Sequence, residues 1–381
     1  MNVYFLTGAS GAVGSAIVPL LLSEPTTRIR ILIRATSEQH LRERFDELCR
    51  FWELPPGAAA RQRIEALRGD AAQDDFGLQP DTYERLCADT THIIHCAATV
   101  RMNETLEYAR ASALGSARQI LALGRRLAAS GRLQKIEFVS TVGVAGKRQG
   151  ALPETWIDEP RAFHNTYEQS KAEAEVLVRE AIEIEHLPIT VHRPSMVVGD
   201  SKTGRIIHFQ IFYFICEIMT GRKTLGIYPD FGDVRLDIIP VDWVARAIVD
   251  ASQAPETAGR IYHLCSGPAH SPKLSGLKPT LRDAFRAHGQ SIPPSLTIPR
   301  RVFAAIPRVA AVFAPPKLRR TLSTLPIYLD YLADNQGFDN TAYTRRLAEQ
   351  GLKLPDSDSF LAVILERYLQ EKYGSGRPPP R

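Results

Sequence analysis

Short runs of β-branched and apolar residues alternate with longer helical patterns through the first two-thirds of this chain. That alternation restricts the fold more than any other feature. Val3–Leu6 is an apolar run, followed by a glycine turn and an apolar helical stretch over Val13–Leu22. Arg28–Ile33 alternates with the period of a strand, and Ile93–His95, Lys135–Ser140, Ile189–His192 and Ile261–Leu264 are further strand candidates. Helical stretches lie between them, as in Ala109–Ala129 and Gln169–Glu185. Strands separated by helices form a parallel sheet covered on both faces, so the expected class is α/β and doubly wound. The pattern breaks twice. Residues 196–234 read as loop, aromatic helix and loop, and after Gly267 the chain turns Pro-rich and basic.

Composition enters mainly by exclusion. An apolar fraction of 44% supplies enough side chain to bury, which rules out wholesale disorder and fibrous repeats. The longest membrane candidate, Ile206–Met219, is shorter than a span and contains Gln210 and Glu217. The five cysteines (Cys49, Cys87, Cys96, Cys216, Cys265) form no metal-like pair, so no metal is expected, and reduced thiols fit a cytoplasmic setting. No leader is expected, because Val3–Leu6 already reads as a strand with no basic segment before it. A net charge of +5 suits anionic ligands and gives no argument for nucleic acid.

Two local motifs carry chemistry. Thr7-Gly8-Ala9-Ser10-Gly11-Ala12-Val13-Gly14 follows a strand and opens a helix. There Gly8 permits the tight turn, Gly11 lets backbone N–H groups approach a pyrophosphate, and Gly14 lets the helix pack close to the sheet. The alternative for a glycine triad alone is a structural turn. The second strand ends Ile33-Arg34-Ala35-Thr36-Ser37, with no acid before Glu38. An acid there would accept from the ribose of NAD, whereas Arg34 offers a cation to a 2′-phosphate, so NADP(H) is the expected cofactor. Asp70, after the third strand pattern, is placed to meet the adenine amine or to close a turn. The other motif is Tyr167-Glu168-Gln169-Ser170-Lys171. Four residues apart on a helix share a face. The lysine can hold a ribose and lower the tyrosine pKa, and the tyrosine can then move a proton near neutral pH.

With Ser140-Thr141 after the fifth strand, His95-Cys96-Ala97-Ala98 after the fourth and Arg193-Pro194 after the sixth, the chain resembles an extended short-chain dehydrogenase/reductase over roughly residues 1–268. The resemblance implies a Rossmann-type sheet with a smaller, mostly helical C-terminal substrate domain. The expected division is 1–195 with 235–268 for NADP binding, 196–234 with 269–373 for substrate, and a disordered tail over 374–381. It implies a catalytic set in which Thr141 orients the substrate oxygen, Ser140 supports it, Tyr167 donates the proton and Lys171 holds the ribose. By distance from Gly146, Thr141 matches the family's hydroxyl position. The implied cofactor contacts are Thr7, Gly8, Ser10, Gly11, Ala12, Val13, Gly14, Arg34, Asp70, Ala97, Ala98, Tyr167, Lys171, Pro194 and Ser195. One departure is visible: where many relatives carry an asparagine, this chain reads Ser112-Ala113-Leu114-Gly115-Ser116, which leaves that role to Ser112 or a water.

The string His192-Arg193-Pro194-Ser195-Met196-Val197-Val198-Gly199-Asp200-Ser201-Lys202-Thr203-Gly204 is similar to the thioester reductase and fatty acyl-CoA reductase branch, and Asp237–Ala245 resembles that branch's second marker. This implies NADPH-dependent reduction of an acyl thioester, on coenzyme A or an acyl or peptidyl carrier protein, to an aldehyde or onward to an alcohol. The alternative within the family is an epimerase, dehydratase or hydroxysteroid-type dehydrogenase. Ile206–Ile215 reads either as a channel for an apolar chain or as a buried helix. Between Lys273 and Arg320 there are ten Lys or Arg against Asp283 alone. Such a face suits CoA phosphates, an acidic carrier protein or an anionic membrane surface, and equally a solvated basic lid. Phe360–Tyr368 reads as an amphipathic closing helix.

Overall fold

A computed structural model describes residues 1–99, 104–222, 224, 226–303 and 336–374. Its centre is a parallel sheet of seven strands: β1 (Val3–Thr7), β2 (Arg28–Ile33), β3 (Ile64–Arg68), β4 (His92–His95), β5 (Lys135–Val139), β7 (Ile189–Pro194) and β11 (Ile261–Leu264). The shorter β6 (Gly150–Leu152), β8 (Met196–Val198), β9 (Ile227–Pro229), β10 (Ile238–Pro240), β12 (Leu296–Ile298) and β13 (Gln336–Phe338) pair as β6 with β13, β8 with β10 and β9 with β12. The main order is β11-β7-β5-β4-β1-β2-β3. The chain reverses direction across the sheet between β1 and β4. In an open parallel sheet that reversal leaves a crevice at the carboxyl ends of the two strands, where ligands bind. The expected doubly wound α/β class is the fold observed.

Side-chain alternation places one apolar set on each face. On one face Tyr4 and Leu6 of β1 join Ile29 and Ile31 of β2 under α1 (Ala12–Leu22), α2 (Glu38–Phe51) and α7 (Val241–Ser252). Helix Thr341–Glu349 lies against this same face through Tyr343 and Leu347. On the other, Phe5, Ile93, Ile136 and Phe138 pack under α3 (Pro80–Asp89), α4 (Leu106–Ala129) and α5 (Thr166–Glu183).

A third core sits beyond the sheet. It gathers Met196 and Val198, α6 (Ile211–Met219), α8 (Leu274–Ala287) and the C-terminal helix Ser357–Tyr373. Phe212, Tyr213, Ile215 and Cys216 of α6 are buried within it, so this helix is core packing rather than an open channel wall. The C-terminal helix is locked to α6 by a single carboxylate: Glu217 Oε1 accepts from Tyr368 Oη at 2.9 Å, Lys372 Nζ at 2.7 Å and Tyr373 Oη at 2.6 Å. The later part of the basic Pro-rich stretch, from residue 304, and the tail from 375 lie outside the described residues. Among the described residues no helix is long and apolar enough to cross a membrane.

Candidate active site

The crevice between β1 and β4 opens into a solvent-accessible cleft. Its walls include Thr7, Gly8, Ser10, Gly11, Arg34, Asp70, Ala97 and Ala98, all singled out by sequence. The glycines act sterically. Gly8 has φ +80°, and a Cβ there would lie 2.6 Å from the Ala97 nitrogen. A Cβ on Gly14 would lie 2.3 Å from the Gly8 carbonyl oxygen. Gly11 ends the turn, donating its N–H to Gly8 O at 2.9 Å, and caps α1 in an extended conformation. The first N–H groups of α1, including those of Ala12 and Val13, therefore point out of the helix toward the crevice.

Beneath this turn lies a buried polar chain. Ser116 Oγ donates to Ala113 O at 3.2 Å and so accepts from His95 Nε2 at 3.3 Å. The other ring nitrogen, Nδ1, then accepts from Thr7 Oγ1 at 2.8 Å, and Thr7 Oγ1 accepts from the Ala97 N–H at 3.4 Å. Burial, reinforced by the charge of Lys171, brings the His95 pKa down to about 3, which keeps the ring neutral, and the bond that Ser116 Oγ makes to Ala113 O selects the tautomer. Ser112 lines the cleft.

At the far end of β2, Arg34 is exposed, and Arg44 of α2 donates to its carbonyl oxygen and to Ser10 Oγ at 3.4 Å. Both residues line the cleft. The nearby acid Glu38 is engaged by Arg68 at 2.7 Å. Asp70 Oδ1 accepts from the Ala72 N–H at 3.0 Å, so this residue closes a turn and lines the cleft at once. Arg44 had no signal in the sequence, because it meets Arg34 only through the packing of α2 on the sheet.

The Tyr167 helix begins earlier than its apolar pattern suggests. Asn165 caps α5, its Oδ1 accepting from the Glu168 N–H at 2.9 Å, so Tyr167 sits in the first turn. The Thr141 Oγ accepts from the Gly143 N–H at 3.1 Å, which leaves its own proton to donate outward. Burial pushes the Tyr167 phenol up to about 12, while the Thr141 hydroxyl beside it pulls the other way. The phenol is therefore a neutral proton donor across the physiological range. Lys171 is 2% exposed. It donates to Val139 O at 2.8 Å and rests on the Phe138 ring, 5.0 Å from its centroid. Burial brings its ammonium down to about 8, with Glu175 opposing. Cys96, a wall of the cleft, lies near enough for the Lys171 charge to act on its thiol.

Ser140 is buried, and its hydroxyl has no partner among the described residues. Pro194 ends β7 opposite Leu264, and Ser195 donates its N–H to Leu264 O at 3.0 Å beside the Asp237 carboxylate. Pro194 and Ser195 are not part of the cleft wall, and neither are Ser140, Thr141, Tyr167 and Lys171, which stand next to it behind Cys96. The 199–204 string builds a turn: Asp200 Oδ1 accepts from Thr203 N and Oγ1, both at 2.8 Å, while Asp242 accepts from Ser201 N at 2.8 Å. Gly204, at φ +68°, seats the C-terminal helix, since a Cβ there would lie 2.5 Å from the Arg367 Cβ.

This donor set fits a dinucleotide. The turn leaves no room for side chains at Gly8 and Gly14, a helix N-terminus faces the crevice, and the buried Ser140 hydroxyl has no partner among the described residues.

Comparison with known proteins agrees with this geometry. The sequence profile of the NAD-binding family described as Male sterility protein matches residues 6–248. The non-canonical nonribosomal peptide synthetase FrzA of Cladobotryum sp is 30% identical over 274 residues, covering 68% of this chain and 26% of that protein. The L-2-aminoadipate reductase of Schizosaccharomyces pombe is 28% identical over 280 residues, covering 69% of this chain and 19% of that protein. The chain thus spans about a quarter or less of these curated relatives. Among solved structures, the terminal R domain from the myxalamid PKS-NRPS biosynthetic pathway superposes with a TM-score of 0.79 at 28% identity, covering 99% of this chain and 92% of that one.

Proposed function

The chain belongs to the Male sterility protein family of NAD-binding proteins, and from that premise we propose that it reduces an acyl thioester to an aldehyde with NADPH. Within the family it is an NAD(P)-dependent oxidoreductase of the extended short-chain dehydrogenase/reductase type. The observation that carries the proposal is the constellation of half-buried Thr141 and Tyr167 with buried Lys171, beside a cleft walled by the glycine turn.

In this reading Ser10, Gly11 and the N-terminus of α1 hold the pyrophosphate, and Arg34 with Arg44 holds the 2′-phosphate. The engagement of Glu38 by Arg68 removes the competing acid and supports NADPH over NADH. Lys171 holds the ribose next to the nicotinamide. When bound, the dinucleotide supplies the hydride. Tyr167 gives its proton to the thioester oxygen, and the Thr141 O–H donates a hydrogen bond to that oxygen as negative charge develops there. Ser140 supports this pair from behind. The resulting hemithioacetal expels the thiol and leaves the aldehyde.

Segments 196–234 and 269–303 with the C-terminal helix Ser357–Tyr373 supply the substrate side, while helix Thr341–Glu349 of the expected 269–373 segment packs on the main sheet, and the thiol carrier is a carrier protein or coenzyme A. Similarity to the R domain, and to synthetases that are much longer than this chain, supports the carrier-protein form. The test is mass spectrometry of products after incubating the protein with NADPH and matched acyl-CoA and carrier-bound thioesters. Aldehyde from a thioester is the expected result. Turnover of a nucleotide sugar or a sterol, with every thioester untouched, would contradict the proposal.

A further inference from the structure

Lys171 presents an electrostatic problem that its nearest contacts do not solve. A carbonyl and an aromatic ring stabilise an ammonium but cancel no charge. The carboxylate that acts on it is Glu175, one turn farther along the same face of α5 and 5% exposed. Glu175 is not free to swing. Arg193, at the end of β7, grips it at two points, Nε to Oε1 at 2.9 Å and Nη2 to Oε2 at 2.6 Å. Arg193 is itself 1% exposed. Its remaining reach goes to Thr155 O at 2.9 Å and to His263 Nε2 at 3.3 Å. Three charges of alternating sign therefore run inward from β7 to the middle of α5. A buried pair of this kind stabilises a fold no better than packed apolar side chains, so its presence calls for another role.

We propose that Glu175 is the counter-charge that positions the Lys171 ammonium for the cofactor ribose, and that Arg193 both fixes and tempers it. Glu175 and Arg193 are positioning residues, since neither faces the cleft. The inference rests on the reading that Lys171 meets the ribose.

The groups around this row are few enough to separate. Tyr167 shares α5. His95 and Cys96 approach from β4 and its following loop, His263 from β11, and Arg161 from the loop before α5. His95 and His263 are both held neutral, with pKa values brought down to about 3 chiefly by burial. Burial raises the Cys96 thiol and the Tyr167 phenol to about 12. Glu154, which accepts from the His263 N–H at 2.8 Å, is raised by burial to about 7 and titrates at the lower edge of the range; from there to pH 10 Lys171 is the group of this set that changes charge.

The experiment is a titration of NADPH binding by fluorescence on the full chain from about pH 6.5 to 10, with wild type, K171A, E175Q, E175D and R193Q. Wild-type affinity should fall through a midpoint near 8 as the ammonium deprotonates. E175Q removes the counter-charge and should lower that midpoint by about one pH unit, weakening binding at alkaline pH about tenfold. R193Q leaves Glu175 untempered and should raise the midpoint. E175D keeps the charge and should keep the wild-type midpoint even if its melting temperature drops. Midpoints unmoved in E175Q and R193Q, or moved in the same direction as a loosened helix would move them, would overturn the inference. An unchanged affinity in K171A would overturn the ribose reading beneath it, and the two failures are distinguishable.

Discussion

The two ends of the site are built by opposite means. At one end, next to the cleft rather than in its wall, Thr141, Tyr167 and Lys171 stand on the first turns of a helix and just past the end of a strand, with Lys171 sealed from solvent and its charge answered by neighbours. At the other, Arg34 is exposed and Arg44 reaches it across the surface from α2. Burial gives the first end shifted pKa values and fixed geometry, which proton transfer needs. Solvent gives the second end weak, screened charges that can select a phosphate without rigid placement. The difference separates where chemistry is set from where the cofactor is chosen.

That contrast can be broken from either side. The largest effect should come from Tyr167→Phe, which removes the proton donor and should cut kcat by about 10²–10⁴-fold while leaving NADPH affinity within about twofold. Steady-state kinetics and a binding titration check both halves, and a matching loss of affinity would erase the separation. Next, Gly14→Val should cost about 1–3 kcal/mol or more, because its Cβ would meet the Gly8 carbonyl at 2.3 Å. Thermal melting with and without cofactor reads this directly, and a variant that melts like wild type and binds normally would contradict the close-approach argument. The smallest effect belongs to the exposed end. Arg34→Glu with Arg44→Glu should lower the NADPH over NADH preference by about tenfold, and in the wild type that preference should fall as salt rises. A preference insensitive to both would mean that the 2′-phosphate is held elsewhere.

What the sequence revealed follows the same division between local and distant causes. Most central strands and the doubly wound class were legible because the strands are short runs of apolar or alternating residues separated by glycine turns and helices. Helix starts were misjudged at α4 and α5, whose caps Thr105 and Asn165 are polar and lie outside the apolar pattern. The cap at Asn165 puts Tyr167 in the first helical turn, on the helix that its spacing from Lys171 already required. The glycine turn and the Tyr167–Lys171 spacing are local motifs and could be read directly. The Thr7–His95–Ser116 chain, the reach of Arg44 and the Arg193–Glu175 grip were not readable, since each joins residues brought together only by tertiary packing. The subfamily string at 199–204 was legible as a signature, but its physical work is to seat the C-terminal helix rather than to touch the cleft.

The central claim is that Tyr167 and Lys171 share one pocket with the reacting ring of the dinucleotide. A crystal structure of the protein with NADP⁺ tests it most directly. The account predicts the Lys171 ammonium on the nicotinamide ribose and the Tyr167 hydroxyl facing the same open volume as the ring's reactive carbon. A ring lodged away from Tyr167, with Lys171 still bound only to Val139 O, would contradict it.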